Sequence, residues 1–398
     1  MDQTNPEALG FSSERLLRIH NLMNRYVESG KLAGLVTCVA RRGQLVHCET
    51  FGHQNLETQT PMAKDSIFRI YSMTKPITSM ALMMLYEEAL FNLTDEVSHY
   101  LPDFKDAKIW GAGGVLESPV RPMTVQDLLR HTAGLSYGDH TESHSPVDKY
   151  YDEADLFNAN TTNAEMTSRI ASLPLLYHPG EKWHYSVATD VVGHLVEVLS
   201  GETLADFMEE KIFDRLGMVD TAFHIDPSRL SRFCTLYGKT PDSEFGVLDV
   251  PDSSEYLPPV TLYSGGSGLV STTSDYLKFA QCILNGGELN GVRLLGPKTV
   301  ALMTTNHLPA PLLPIAFEGT EPMLGMGFGL GFGVMLDPAQ TGVMGSVGDH
   351  GWGGYAETFF WIDPKEDLIA NLMTQYLPSQ TYPIRKEFRT AVYQSLIC

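Results

Sequence analysis

The sequence predicts an α+β fold: one central antiparallel sheet flanked by helices from the two ends of the chain, with a mostly helical domain inserted between its halves. Three observations lead there. Period-two apolar runs lie near both termini, helix-period runs fill the middle, and amphipathic helical segments stand at each end. The 398 residues, 43% hydrophobic and 19% charged, carry enough apolar surface for two to three structural units with a buried core. On this pattern residues 1–80 and 240–398 form an α/β domain and residues 81–239 a helical one. The cleft between them is the natural substrate site.

The elements follow in order. Ser12 to Ser29 places Leu16, Leu17, Ile19, Leu22, Met23 and Tyr26 at helical spacing, with Ser12 or Ser13 as N-cap. Leu35 to Ala40 and Leu45 to Phe51 are β-rich runs joined by Arg41-Arg42-Gly43, the pattern of a hairpin. Phe68 to Thr78 runs from a short strand into an apolar helix reaching about Leu90. Pro76 is tolerated there because the first helical turn has no intrahelical acceptors for its N–H groups. Helices are expected over Val125–His131, Ala164–Ser172, Ser186–Leu199 and Leu204–Leu216, and the polar stretch from Asp139 to Asn163 reads as a long surface loop. Strands are expected over Gly327–Leu336, Glu357–Ile362 and Leu368–Thr374, before a last helix near Tyr382–Ile397. No repeat and no low-complexity tract interrupts this order.

Charge and cysteine usage exclude several functions. With 28 Lys+Arg against 48 Asp+Glu the net charge is −20, and so acidic a surface repels nucleic-acid phosphate and anionic lipid. Nucleic acid and membrane are therefore not expected partners. Cys38, Cys48, Cys234, Cys282 and Cys398 show no metal-binding spacing and are odd in number, which reads as free thiols in a reducing compartment. The N-terminal stretch lacks a signal-peptide pattern and no apolar run is long enough to span a membrane, so the expected location is the cytoplasm.

Three segments carry chemistry. Ser72-Met73-Thr74-Lys75 opens the apolar helix, which sets the hydroxyl in the positive field of a helix N-terminus and the amine one turn away on the same face. Serine is a weak nucleophile without a neighbouring base, and a lysine shielded by the helix Ile77 to Leu85 can serve as one. Alone the pattern is weak, since roughly one such match arises by chance. The second segment, Gly180 to Gly193, places Tyr185 just before another helix, where a phenol can pass protons between serine and leaving group. The third, Asp349-His350-Gly351-Trp352-Gly353-Gly354-Tyr355, leads into a strand, and its glycines permit a backbone N–H to approach a developing oxyanion.

In that order the three segments, with Leu128-Leu129-Arg130-His131-Thr132-Ala133-Gly134-Leu135 between them, resemble the serine β-lactamase and penicillin-binding-protein superfamily. The chain looks most like its class C β-lactamase-like esterases, the family VIII carboxylesterases, from Gly34 to about Gln375. The resemblance implies the β-lactamase/transpeptidase-like fold, no cofactor and no metal, and a small-molecule ester as partner. It implies Ser72 as acyl-forming nucleophile, Lys75 as base or proton partner, Tyr185 as the phenol sharing proton transfer, and the N–H groups of Ser72 and Tyr355 as oxyanion hole. Tyr137 and Asp190 match positions that line the site in such esterases, and His350, Trp352, Gly353 and Gly354 form its wall. Two departures matter. Position 187 is Val where class C enzymes have Asn, and Trp352-Gly353 stands where β-lactamases have Lys-Thr, removing a cation that would pair with a substrate carboxylate. Neutral esters, with short acyl chains, fit better than β-lactams. The same machinery would also serve a β-lactamase, a D-Ala-D-Ala peptidase, an amide hydrolase or an acyltransferase, and two further rivals are a binding protein that keeps the fold without chemistry and a metallohydrolase.

Other motifs have plainer readings. Gly134-Leu135-Ser136-Tyr137-Gly138 matches a nucleophile elbow, but a helical run precedes it and a polar loop follows, so it reads as a turn presenting Tyr137 to the cleft. His140 and His144, near Asp139 and Glu142, lack metal-site spacing. Met80, Met83 and Met84 belong to core packing, and Gly265-Gly266-Ser267-Gly268 lacks the P-loop lysine and reads as a tight turn beside the cleft.

Overall fold

Ser12 caps the first helix of the computed structural model, which describes residues 4–138, 145–317 and 320–397: its hydroxyl accepts the Arg15 N–H at 3.3 Å. This helix, α1 (Ser13–Glu28), buries the stripe Leu16, Ile19, Leu22, Met23 and Tyr26. Strands β1 (Gly34–Arg41) and β2 (Gln44–Asn55) form the expected hairpin, with Arg42 and Gly43 both at positive φ (52° and 72°), the primed-turn geometry that matches strand twist. β3 (Thr60–Pro61) and β4 (Ile67–Arg69) precede α2 (Thr74–Glu87), whose third residue is Pro76. β5 (Val270–Thr272) pairs with β4.

The C-terminal segments complete the sheet. β6 (Met326–Phe328), β7 (Gly333–Met335), β8 (His350–Gly353), β9 (Phe359–Asp363) and β10 (Leu368–Thr374) join β1–β3 in an eight-stranded sheet of order β6-β7-β8-β9-β10-β1-β2-β3, antiparallel throughout. β1 pairs with β10 in the register Leu35↔Thr374 to Arg41↔Leu368. Alternation divides the two strands between two cores: Leu35, Val39, Leu368, Ala370 and Leu372 pack with α1 and the last helix (Ile384–Tyr393), while Val36, Cys38, Ile369 and Met373 face the core that contains α2. Met80 and Met83 lie wholly inside that core, with Met84 packed at its edge.

Helices Val125–Leu129, Asn163–Ser172 and Ala188–Ser200, and a continuous helical run over 204–216, stand where the pattern expects them. Three expectations need correction. The polar segment from Asp139 contains a helix, Pro146–Glu153, capped by Ser145 and buried through Val147, Asp148 and Tyr151; Asp139, His140, Glu142 and His144 lie outside the described residues. Gly327–Leu336 is two strands, since a tight turn across Gly329 and Phe332 (N···O 2.7 Å) folds the run into a hairpin. Cys38 and Cys48 are joined in a disulfide and are not free thiols, because the β1–β2 register sets them directly opposite with Cα atoms 4.1 Å apart. Cys234 and Cys282 are free and buried. Among the described residues no helix is long and apolar enough to cross a membrane.

Candidate active site

The site forms where the chain turns from β4 into α2. A single 3-10 turn over Tyr71–Met73 puts Ser72 at the lip of the helix, half-buried, and sinks Lys75 completely, at 0% exposure. A buried amine must find polar partners, and this nitrogen has three. Lys75 Nζ donates to Ser72 Oγ at 3.1 Å, to Tyr137 Oη at 2.8 Å and to the Gly266 carbonyl at 2.8 Å. The amine also lies over the ring faces of Tyr185 and Tyr137, 4.6 and 5.2 Å from their centroids.

Tyr185 enters the cluster just before the helix Ala188–Ser200, and its phenol oxygen accepts the Trp352 indole N–H at 3.0 Å. That bond leaves the phenol's own proton available and steadies the oxygen against charge when the proton leaves. Tyr137 is the phenol bonded to the amine, and burial pushes its pKa well up, with the Asp190 carboxylate adding to the shift.

Asp190 does not face the cleft opening. It is 3% exposed, and its Oδ1 accepts from the Ser264 hydroxyl and, at 3.0 Å, from the Gly266 N–H. Its action on the site runs through the glycine turn, whose next group is the carbonyl that Lys75 grips. Burial raises its pKa while Lys75 and the two donors pull it back. Gly266 is a glycine by necessity, since an added Cβ would stand 2.5 Å from Asp190 Oδ2 and 3.0 Å from Tyr137 Oη. The turn 265–268 therefore belongs to the site as the acceptor of its cation. The glycine-rich string marks the turn in the sequence, but no residue pattern identifies a backbone carbonyl as a partner.

The third segment supplies the opposite wall. β8 carries Trp352, 8% exposed, toward Tyr185, and the chain then passes Gly353 and Gly354, where a side chain at 354 would strike the Ile70 carbonyl just before Ser72. Tyr355 follows, half exposed, its ring edge-on to Tyr71 at 6.2 Å. Arg385 secures this exit: its guanidinium donates to the Gly354 carbonyl at 2.7 Å and pairs with Glu357 at 2.6 Å. His350 lies elsewhere. It is 3% exposed, bonded to the Gly348 carbonyl at 3.0 Å and edge-on to Phe332, and burial lowers its pKa to about 4. The partners of its ring are the Gly348 carbonyl and Phe332, not the Ser72 cluster.

Ser136 is likewise apart. It is 1% exposed, donates to Asp148 and accepts the Gly138 N–H at 3.0 Å. Sequence reasoning missed Phe157 and Phe317, which lean on Tyr137 and Tyr185 respectively from two separate loops. A hydroxyl, an amine and two phenols gathered around that amine are proton-handling groups, and not a metal's preferred donors.

The family model described as Beta-lactamase matches residues 19–394. The chain is 33% identical over 358 residues to Protein Rv1367c of Mycobacterium tuberculosis, covering 88% of each. It is 28% identical over 395 residues to Esterase EstB of Burkholderia gladioli, covering 94% of each. Among solved structures, EstCE1, described as a hydrolase with promiscuous acyltransferase activity, superposes with a TM-score of 0.80 at 25% identity, covering 96% of this chain and 99% of that one.

Proposed function

The chain belongs to the beta-lactamase family, and on that premise we propose that it is a serine carboxylesterase working through an acyl-enzyme on Ser72. One observation carries the reading: the Ser72 hydroxyl, half-buried at the mouth of α2, stands 3.1 Å from an amine held wholly inside the protein. In the first half-reaction, with Lys75 as the neutral amine, Ser72 Oγ attacks the ester carbonyl carbon while its proton passes to Lys75 Nζ. The N–H groups of Ser72 and Tyr355 receive the oxyanion, and Lys75 and the Tyr185 phenol relay a proton to the leaving oxygen. Collapse breaks the bond to the alkoxide, which leaves as alcohol with the relayed proton. Water then attacks the acyl group and releases the acid.

Trp352 in place of a cation, and Arg385 already paired with Glu357, support an uncharged substrate over an anionic β-lactam. The likeness to EstCE1 supports a second use of the same acyl-enzyme, transfer to an alcohol in place of water. Intact-mass measurement after treatment with a fluorophosphonate tests the core of the proposal. A single adduct that maps to Ser72 and disappears in Ser72→Ala is expected; an adduct elsewhere, or none, overturns it. Adding methanol to a p-nitrophenyl ester assay then separates hydrolysis from transfer, by whether methyl ester or acid accumulates.

A further inference from the structure

Five rings run in contact along one side of the Lys75 amine. Phe157 stacks on Tyr137, centroids 6.2 Å apart and planes within 18°; Tyr137 meets Tyr185 at 5.5 Å; and Tyr185 meets Phe317 edge-on at 5.2 Å and Trp352 at 5.5 Å. Because the amine under this wall is also 3.1 Å from Ser72 Oγ, the wall borders the nucleophile. Its two ends are not core residues. Phe157 is 39% exposed, on a stretch fixed by the Thr261 hydroxyl, which lies 2.9 Å from both the Ala159 and Thr161 carbonyls. Phe317 is half-buried on a loop pinched by the Met323 N–H on the Ile315 carbonyl (2.8 Å), and its own carbonyl accepts the Thr320 N–H (3.1 Å) and hydroxyl (2.9 Å).

Holding an apolar ring at a cleft edge costs free energy in water, and that cost is recovered when another apolar surface covers it. Both loops are anchored by hydrogen bonds, so the rings are presented and not merely tolerated. The charged groups beside them are already engaged, Lys75 in its three bonds, Asp190 behind Gly266, and Arg385 with Glu357. What remains for a substrate to touch is ring face and ring edge, which favour a flat π-system over an alkyl chain.

We propose that Phe157 and Phe317 are specificity-determining residues, and that the preferred substrates are uncharged esters carrying an aryl group seated against these two rings, which stand at the ends of the wall. This rests on the ester reading of Ser72 and adds the substrate class. Three unactivated esters test it: ethyl acetate as reference, benzyl acetate with the ring on the alcohol side, and ethyl benzoate with it on the acyl side. At least one aryl ester should exceed ethyl acetate in kcat/KM by about tenfold, the scale of one added aromatic contact with its buried area. Phe157→Leu and Phe317→Leu, which keep apolar bulk and remove the ring, should each lower that ratio by about threefold or more.

Equal kcat/KM for all three esters overturns the aryl preference and leaves the ester reading standing. No turnover of any, together with no fluorophosphonate adduct, fails the ester reading itself. A ratio unmoved in both variants overturns the assignment of the two phenylalanines. Where a variant melts early, competitive inhibition of the wild type by 2-naphthol against cyclohexanol reads the same surface: stronger inhibition by the naphthol is expected, and equal inhibition overturns the proposal.

Discussion

Ser72 and Ser136 are both serines in recognisable motifs, both at chain turns, and both hydrogen-bonded to an ionisable side chain. Their surroundings part them. Ser72 opens a fourteen-residue helix, is half-buried, and has an amine for a partner; Ser136 is sealed at 1% exposure, has a carboxylate for a partner, and spends its oxygen on the Gly138 N–H. A hydroxyl reacts when a substrate can reach it and a group beside it can take its proton. A hydroxyl closed in by its own backbone holds a turn in shape. The motif string selects neither outcome; the element that follows it does.

The sharpest way to break this contrast is at Ser72 itself. Ser72→Ala should lower kcat on a p-nitrophenyl short-chain ester by at least ~10³-fold while leaving the thermal midpoint close to wild type. Activity near wild type would end the distinction. At the sealed pole, His350 is held neutral, its pKa lowered to about 4 from an unfolded value of 6.5. The stability it contributes is therefore complete above pH 6.5 and is lost as pH falls from 6.5 through about 4, because the unfolded chain binds the proton first. His350→Asn should remove on the order of 3 kcal/mol from the pH dependence of unfolding between pH 7 and 4, read by urea titration at several pH values. Asp349 works in the opposite direction, its carboxyl pushed up to about 7 by burial, and is common to both proteins, so the difference between them isolates the histidine.

Between the poles stand the two phenols. Tyr185→Phe should cost about 10²-fold in kcat, the low end for a proton-transfer group, and Tyr137→Phe less, since Lys75 keeps two further acceptors. The reverse order would move the proton path to the phenol that the amine grips. Smallest of all, Ser136→Ala should lower stability by about 1–2 kcal/mol in a denaturant melt and leave kcat within about twofold.

Much of this was legible because local signals and tertiary demand agree. The stripe of α1, the Arg42-Gly43 turn and the largely apolar Leu368–Thr374 strand each have one stable use. The site was legible as a set of segments, since serine, lysine, phenol and indole are chemically conspicuous and their order along the chain is restrictive. What stayed hidden depends on pairings across space. Asp190 reads as a cleft residue until its carboxylate is found on Ser264 and Gly266, 74 and 76 positions away. His350 reads as a wall residue because it precedes Trp352 by two, yet its ring is buried against Phe332 and bonded to the Gly348 carbonyl. Cys38 and Cys48 read as separate thiols because hairpin register is set by the turn and not by the cysteines. Phe157 and Phe317 carry no chemistry of their own, so no motif marks them.

The strand beneath the reactive turn has a further consequence for synthesis. β1 lies against β10, with the Thr374 hydroxyl bonded to the Gly34 carbonyl 340 positions earlier at 2.7 Å. As the polypeptide leaves the ribosome, the helix bearing Ser72 is made early, but the strand that closes the sheet under it emerges among the last. The Ser72 turn is therefore made long before the strand that pairs with β1, and the sheet can close only after that later segment has emerged.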